Sequence, residues 1–236
     1  MTGTKVWSRF SSKTKNGTDL KFRIEEMTED KLEDVTNLIM DYFVTEEPKN
    51  RVAGIAQNPE AMKEMREWLL SFIDPKVQHV DICVSDDGTE SENSVIGASI
   101  MVLTKKENSF DTINIKAETK EIKTLVRLIT CQKKKFNILD KYNLDSYYDD
   151  RAVVISPKYR GLGIAQEFFK VRRLVCKDHN VPLTAAWMTS IGSQKAAKRD
   201  GWETEYEMNY EEFGKQMGVV FENVPETFMY MIARNE

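Results

Sequence analysis

The sequence predicts an α/β domain built on a mixed sheet, and two patterns carry this prediction. Period-two alternation runs through Val80 to Val84 and again through Val95 to Leu103, which is typical of two strands joined as an antiparallel hairpin. From Tyr148 onward the pattern becomes strand, helix, strand, and this kind of crossover places two strands side by side in parallel. The sheet is therefore expected to begin antiparallel and to gain one parallel pair late.

The helices are indicated by apolar residues at three- and four-residue spacing. The first begins after Thr28, a capping residue followed by two acids, and ends before Pro48. A second runs from Asn58-Pro59 to Asp74. Others are predicted at about 118–134, 164–179 and 190–198. A short strand is predicted at Lys21–Glu25, and the later strands are predicted at Tyr148–Ile155, Leu183–Met188, Trp202–Tyr210 and Thr227–Ala233. Together with the two hairpin strands, this makes about seven.

Composition predicts one domain and excludes several functional classes. Of the 236 residues 41% are apolar, and 38 acidic residues face 34 basic ones, so no positive field exists to attract nucleic acid or anionic lipid. No stretch approaches the roughly 18 apolar residues of a membrane span. We expect a flexible lead-in at 1–20 and a single domain at 21–236.

Cys83, Cys131 and Cys176 lack metal-ligand spacing and are expected to be reduced, as in a cytoplasmic protein.

The most informative segment joins the strand ending at Ile155 to the next helix through Arg160-Gly161-Leu162-Gly163-Ile164-Ala165. Two glycines before a helix leave several backbone N–H groups without a side chain in front of them, an arrangement that suits a pyrophosphate. The segment lacks the Lys-Ser/Thr of a P-loop and the third glycine of a dinucleotide fold. From the residues alone, a simple tight turn stays an alternative.

This segment resembles the Arg/Gln-x-x-Gly-x-Gly/Ala signature of the GNAT acetyltransferase superfamily, and Lys198-Arg199-Asp200-Gly201-Trp202 resembles a later element of it. The resemblance covers about residues 21–233. It implies the GNAT acyl-CoA N-acyltransferase fold, with two splayed parallel strands that admit acetyl-CoA and a backbone N–H near Ile155 that polarises the thioester carbonyl. The implied cofactor contacts are Val153, Val154, Ile155, Arg160, Gly161, Leu162, Gly163, Ile164, Ala165 and Gln166.

A finer resemblance is to the insect arylalkylamine N-acetyltransferases. The segment from Tyr42 to Pro48 is similar to their Phe-Phe-x-x-Asp-Glu-Pro element, which implies that Glu47 is the general base. Their Ser-Ser-x-x-Ser segment corresponds to Thr189 through Ser193, so these two hydroxyls are implied to transfer protons or to hold substrate. Vertebrate relatives carry a catalytic histidine pair where this chain has Asp149 and Arg151, so that mechanism is not expected here.

The chemistry needs a base because an alkylamine, with a pKa of about 10, is almost entirely protonated at neutral pH. A partly desolvated carboxylate at a helix end can accept that proton. Glu47 is our candidate, Glu46 is its acidic neighbour and candidate amine contact, and Tyr42 and Trp187 are candidate walls of the amine pocket. The alternatives are an exposed acid at a helix end for Glu47, a helix cap for Ser193, and core packing for the aromatic residues.

Together these features predict acetyl transfer from acetyl-CoA to a small primary amine, of the dopamine, serotonin or tryptamine type. The alternatives are a polyamine, agmatine, histamine or amino acid acceptor, or a catalytically silent acyl-CoA-binding module. The expected partner is only the small-molecule amine, with no nucleic acid, membrane or metal, and the expected state is a monomer or weak homodimer.

Overall fold

The computed structural model describes residues 4–75, 77–88, 94–108 and 116–235. In this part of the chain one open, mostly antiparallel sheet has the strand order β1-β2-β3-β4-β5-β6-β8-β7, so the predicted mixed sheet is confirmed with eight strands instead of about seven. Its strands are β1 Val6–Lys13, β2 Asp19–Glu26, β3 His79–Ser85, β4 Gly97–Lys105, β5 Ser146–Ile155, β6 Leu183–Met188, β7 Glu203–Asn209 and β8 Thr227–Arg234.

The additional strand lies in the segment expected to be a flexible lead-in. β1 pairs antiparallel with β2 from Val6 to Lys13, and Gly17 in the connecting turn has φ of 82°. The expectation of a flexible 1–20 is therefore wrong for these residues. The polar composition of Val6–Lys13 was misleading. An edge strand buries only one side, so its half-buried and exposed positions include few apolar residues from which a strand could be predicted.

The helices pack on both faces of the sheet. Apolar periodicity predicted the long ones correctly, but three short helices that begin after Glu47, Asn137 and Asn209 were missed. Among the described residues no helix is both long and apolar enough to cross a membrane. The helices are α1 Leu32–Leu38, α2 Val44–Glu46, α3 Pro48–Ala53, α4 Pro59–Phe72, α5 Lys120–Lys133, α6 Ile138–Tyr142, α7 Ile164–Asp178, α8 Ile191–Arg199 and α9 Tyr210–Met217.

A π-helical segment, Ile39–Phe43, joins α1 to α2. Wider turns of this kind are rare and occur often at functional sites. This one precedes the predicted catalytic segment. Pro48, expected to follow the end of the helix, is also the first residue of α3, where its missing N–H has no cost.

The parallel strands β5 and β6 separate soon after they meet. They pair only at Tyr148 with Thr184 and at Asp149 with Ala185, although both strands continue for several residues. A β-bulge in β5 leaves Arg151 without a register partner on β4. The backbone of β5 from the bulge to Ile155 therefore has β4 on one side and an opening on the other.

The helix that leaves this opening is anchored by one fully buried arginine. On α7, Arg172 contacts Asp150 Oδ1 at 2.6 Å and Ser99 Oγ at 3.0 Å. Burial raises the pKa of Asp150, and the charge of Arg172 opposes that rise. This pair fixes α7 against β5 beside the bulge. The connection between β3 and β4 was correctly predicted as a hairpin, but its residues 89–93 lie outside the described part.

Candidate active site

The turn between β5 and α7 forms an open cradle of backbone N–H groups. Gly161 and Gly163 have φ of 81° and 82°, and Gly163 is the residue that precedes the first turn of α7. A Cβ built on either glycine meets no atom within 4 Å among the described residues, its chain neighbours aside, so the space in front of the turn is open. This geometry fits a pyrophosphate, since unpaired donors and the positive end of the helix dipole face the same space.

Arg160 connects the cradle to the segment that carries the predicted general base. Its Nε donates to the carbonyl oxygen of Ile155 at 3.0 Å, and its NH1 lies 2.8 Å from Glu46 Oε2. The structure thus places Glu46, our candidate amine contact, against the arginine of the cradle. Both side chains are nearly half exposed.

One cavity of about 660 Å³ joins the cradle to the segment that carries the predicted general base. Leu162 is the one predicted site residue that does not line this cavity, because it packs against the hydrophobic cluster beneath α7. All the others line the cavity: Tyr42, Glu46, Glu47, Val153, Val154, Ile155, Arg160, Gly161, Gly163, Ile164, Ala165, Gln166, Trp187, Thr189 and Ser193.

The free edge of β5 suits an extended ligand. The parallel ladder ends at Asp149, so the backbone groups of Val153 to Ile155 that face β6 have no strand partner. A linear chain bearing amide groups can add to such an edge like another strand. The edge leads directly to the cradle, so a ligand extended along the edge could place phosphate groups at the cradle.

Glu47 is buried, with 7% of the residue exposed, and it caps α3. Its Oε2 accepts hydrogen bonds from the Lys49 N at 2.9 Å, the Asn50 N at 3.0 Å and the Asn50 Nδ2 at 2.9 Å. Its Oε1 has no hydrogen-bond partner in the described residues, and Lys49 Nζ lies 2.8 Å away as an ion pair. The exposed-acid alternative is therefore wrong, and only Oε1 is left for a ligand.

The two predicted hydroxyl residues differ in their surroundings. Ser193 completes a capping box with Ser190, and its Oγ donates to the Ser190 carbonyl at 2.9 Å. The N-cap of α8 is thus Ser190, and Ser193 belongs to the first turn as the second member of the capping box. Thr189 lies at the end of β6, and its carbonyl accepts a hydrogen bond from the Tyr210 hydroxyl at 2.8 Å.

Sequence reasoning missed Tyr210, which it placed at the end of a strand. Burial raises the pKa of Tyr210, and the negative charge of Glu47 adds to the effect, so this phenol remains protonated and close to the candidate base. The missed signal is Asn209 followed by two acids, a typical helix start.

The aromatic candidates serve the cavity and the core together. Tyr42 is half-buried on the π-helical segment. Trp187 lines the cavity while its ring packs 5.0 Å from that of Tyr230 and 5.4 Å from that of Phe228, measured between centroids. Core packing and a pocket wall are therefore compatible roles for it.

A polar cluster at the other end of the cavity also escaped the sequence analysis. Asp149 Oδ2 accepts from Arg151 NH1 at 2.9 Å and lies 3.3 Å from Lys133 Nζ. From the sequence, Asp149 and Arg151 were noted only as replacements for a histidine pair. Lys133 lies at the end of α5, and nothing local in the sequence shows that this end packs beside β5.

The open mixed sheet, the splayed parallel pair and the glycine cradle define the GNAT acetyltransferase fold. Within it, the structural neighbours of this chain include insect arylalkylamine N-acetyltransferases, as the resemblance predicted. No family model and no curated protein sequence matches the chain.

Three solved structures illustrate the range of these neighbours. A protein of the yellow fever mosquito Aedes aegypti, assigned as arylalkylamine N-acetyltransferase 7, has a TM-score of 0.85 and 25% identity over 99% of this chain and 96% of its own. The Drosophila melanogaster polyamine N-acetyltransferase, which forms N-acetylagmatine, has a TM-score of 0.68 and 14% identity, covering 90% of this chain and 99% of that one. Arabidopsis thaliana NAA60, solved with acetyl-CoA, has a TM-score of 0.55 and 10% identity, covering 90% and 98%.

Proposed function

We propose that this protein is an acetyl-CoA-dependent N-acetyltransferase acting on a small primary amine of the arylalkylamine type. The observation that carries the proposal is a single cavity that joins an open phosphate cradle at Gly161 and Gly163 to a buried carboxylate, Glu47. The aromatic walls at Tyr42 and Trp187 supply apolar surface for an aryl group. The insect arylalkylamine N-acetyltransferases among its structural neighbours support the same acceptor class.

Acetyl-CoA supplies the acetyl thioester that the amine attacks. The cradle and Arg160 would hold its pyrophosphate, and the free edge of β5 from Val153 to Ile155 would hold its pantetheine. These contacts fix the cofactor alongside the acceptor, which removes much of the entropic cost of a two-substrate reaction. The chain's own groups then need only bind the amine and move its proton.

We assign proton removal to Oε1 of Glu47, because Oε2 is held by three N–H donors. A substrate ammonium would take the place of Lys49 Nζ beside Oε1 and give up its proton there, directly or through a water. Thr189 and Ser193 are the candidate proton donors on the thiol side. The hydroxyl of Ser193 is already bonded to the Ser190 carbonyl, which favours Thr189.

The test compares Glu47→Gln with Glu47→Ala on a panel of amines by following thiol release. Glu47→Gln keeps an oxygen that can cap α3 but removes the base, so kcat/KM should fall by about 10²- to 10⁴-fold while the protein remains folded. High pH should restore part of the rate, because free amine becomes abundant. Glu47→Ala should also lose about 0.5–2 kcal/mol of stability with the cap.

Glu60→Gln, an exposed acid in the first turn of α4, is the matched control and should keep wild-type kinetics. If Glu47→Gln retained the wild-type rate and pH profile, Glu47 would have no catalytic role.

One observation favours the second candidate, a silent acyl-CoA-binding module. Both oxygens of Glu47 contact the protein's own nitrogen atoms, and Lys49 stands where an ammonium would bind. Such a module would be stabilised thermally by acetyl-CoA but would release no thiol with any amine in the panel. The enzyme shows both responses.

A further inference from the structure

We propose that the acceptor amine carries an acidic group, which binds Lys133 and Arg151 at the end of the cavity remote from the cradle. This inference rests on the proposed function and names the substrate class of the same site. The cluster of Gln132, Lys133, Asp149 and Arg151, here called the cationic end, lines that cavity.

Position assigns the cationic end to the acceptor and not to the coenzyme. The cradle follows Ile155, whereas Asp149 lies six residues earlier on β5, about 20 Å away along an extended strand. The free edge of β5 that suits pantetheine lies between the two. A ligand group at the cationic end therefore lies beyond the pantetheine site, on the far side from the phosphates.

The cationic end has more positive than negative charge. The single carboxylate of Asp149 faces both Lys133 and Arg151. Asp150, the adjacent acid, is occupied by Arg172 at 2.6 Å. One cation at this end is thus not matched by a protein anion in the described part of the chain, and an anion brought by a ligand would complete the balance.

Two polar side-chain atoms at the cationic end have no hydrogen-bond partner among the residues that the structure describes. The NH1 group of Arg151 donates to Asp149, and the Nε of Arg151 is buried without a hydrogen bond. Gln132 is only 4% exposed, and its Oε1 is equally without a partner. Nε and the adjacent NH2 form the edge of a guanidinium that binds carboxylates in a bidentate manner. A half-turn of the Gln132 amide would place an N–H donor at the same position.

The acceptor side also disfavours a second positive charge on the substrate. Asp150 also lines this half of the cavity, but Arg172 neutralises it. The other charged residues here are three cations, Lys49, Lys133 and Arg151, against the carboxylates of Glu47 and Asp149. A diamine or a guanidino amine would bring a further cation to a site that is already positive. An amine with a carboxylate at its far end would place its ammonium beside Glu47 and its carboxylate at the cationic end.

The experiment uses phenethylamine, unsubstituted or bearing at the para position either a carboxylate or an aminomethyl group. The wild-type protein should prefer the carboxylate over the unsubstituted amine by about 10- to 100-fold in kcat/KM, the effect of a charge-assisted hydrogen bond, and should use the diamine least. Lys133→Gln and Arg151→Gln should each remove most of this preference, so that kcat/KM for the carboxylate falls toward the value for the unsubstituted amine. Lys134→Gln, the exposed neighbour, is the matched control and should keep it.

Binding of para-ethylbenzoate, which has no amine, provides a readout that does not depend on turnover. It should stabilise the CoA-saturated wild-type protein thermally, and Lys133→Gln should abolish the shift. The Lys133 side chain is 34% exposed, so the fold tolerates this substitution. No acetyl transfer to any amine together with intact ethylbenzoate binding would refute the proposed function alone. Equal use of the three amines, a preference that survives Lys133→Gln, or no ethylbenzoate binding would each overturn the acidic acceptor.

Discussion

Replacing Gly163 with valine tests whether the turn before α7 is a phosphate site. In this turn the residue has φ of 82°, and an added side chain would enter space that contains no protein atom within 4 Å. Gly17, in the turn between β1 and β2, has the same φ of 82° and the same open surroundings. Gly17→Val is therefore a matched control with equal backbone strain at a site remote from the cavity.

Both variants should lose about 1–2 kcal/mol of stability, the usual cost of a side chain in the left-handed region. Only Gly163→Val should lose coenzyme A. If the new side chain excludes a phosphate that accepts two charge-assisted hydrogen bonds of about 1.5–3 kcal/mol each, affinity falls by about 10²- to 10⁴-fold. Calorimetric titration with coenzyme A measures the affinity, and urea unfolding measures the stability. A dissociation constant for Gly163→Val within threefold of that for Gly17→Val would refute the phosphate site.

Two further predictions concern stability. Arg172→Met leaves the buried Asp150 carboxylate unpaired and should cost about 3–5 kcal/mol in urea unfolding, whereas Arg173→Met on the same helix loses only a partly exposed pair with Asp200 and should cost about 1 kcal/mol or less; equal losses would contradict the anchoring role of Arg172. Burial lowers the pKa of His179 below 6.5, and repulsion from His79 lowers it further. The contribution of His179 to the free energy of unfolding is therefore complete above about pH 6.5 and declines as the pH falls. His179→Gln should flatten that decline between about pH 7 and 5, and an unchanged slope would exclude this residue as its source.

The elements that the sequence predicted well are those whose signal lies within one helix or strand. β6 occurs at the predicted Leu183–Met188, and the strand, glycine turn and helix around Gly163 appear as expected. The edge strand β1 was missed because its pairing with β2 is a contact between segments of weak hydrophobicity. Helix α9 was missed because Asn209 ends a strand and caps a helix within one residue.

In the candidate site, too, the residues within short local motifs could be predicted, and those brought together from distant segments could not. The cradle and Glu47 belong to short motifs, so the sequence could point to them. The cationic end could not be predicted, since Lys133 and Arg151 meet only when the end of α5 packs beside the bulge of β5. Lys49 is an intermediate case, because it follows Glu47 by two residues but its ion pair depends on how α3 begins.

The junction at Glu47 and Pro48 shows how a local rule can position a long-range site. Proline at the first position of α3 has no N–H, so the next donors along the chain are those of Lys49 and Asn50. Both donate to Oε2 of Glu47, and this fixes one oxygen, while the other, Oε1, is buried beside Lys49 Nζ. The orientation of the candidate base is thus set by the helix start itself. The ligand that could meet Oε1 would instead depend on Lys49, whose Nζ lies 2.8 Å from it, and on the charges across the cavity. Substrate choice is therefore tested with amines that differ only in their far end.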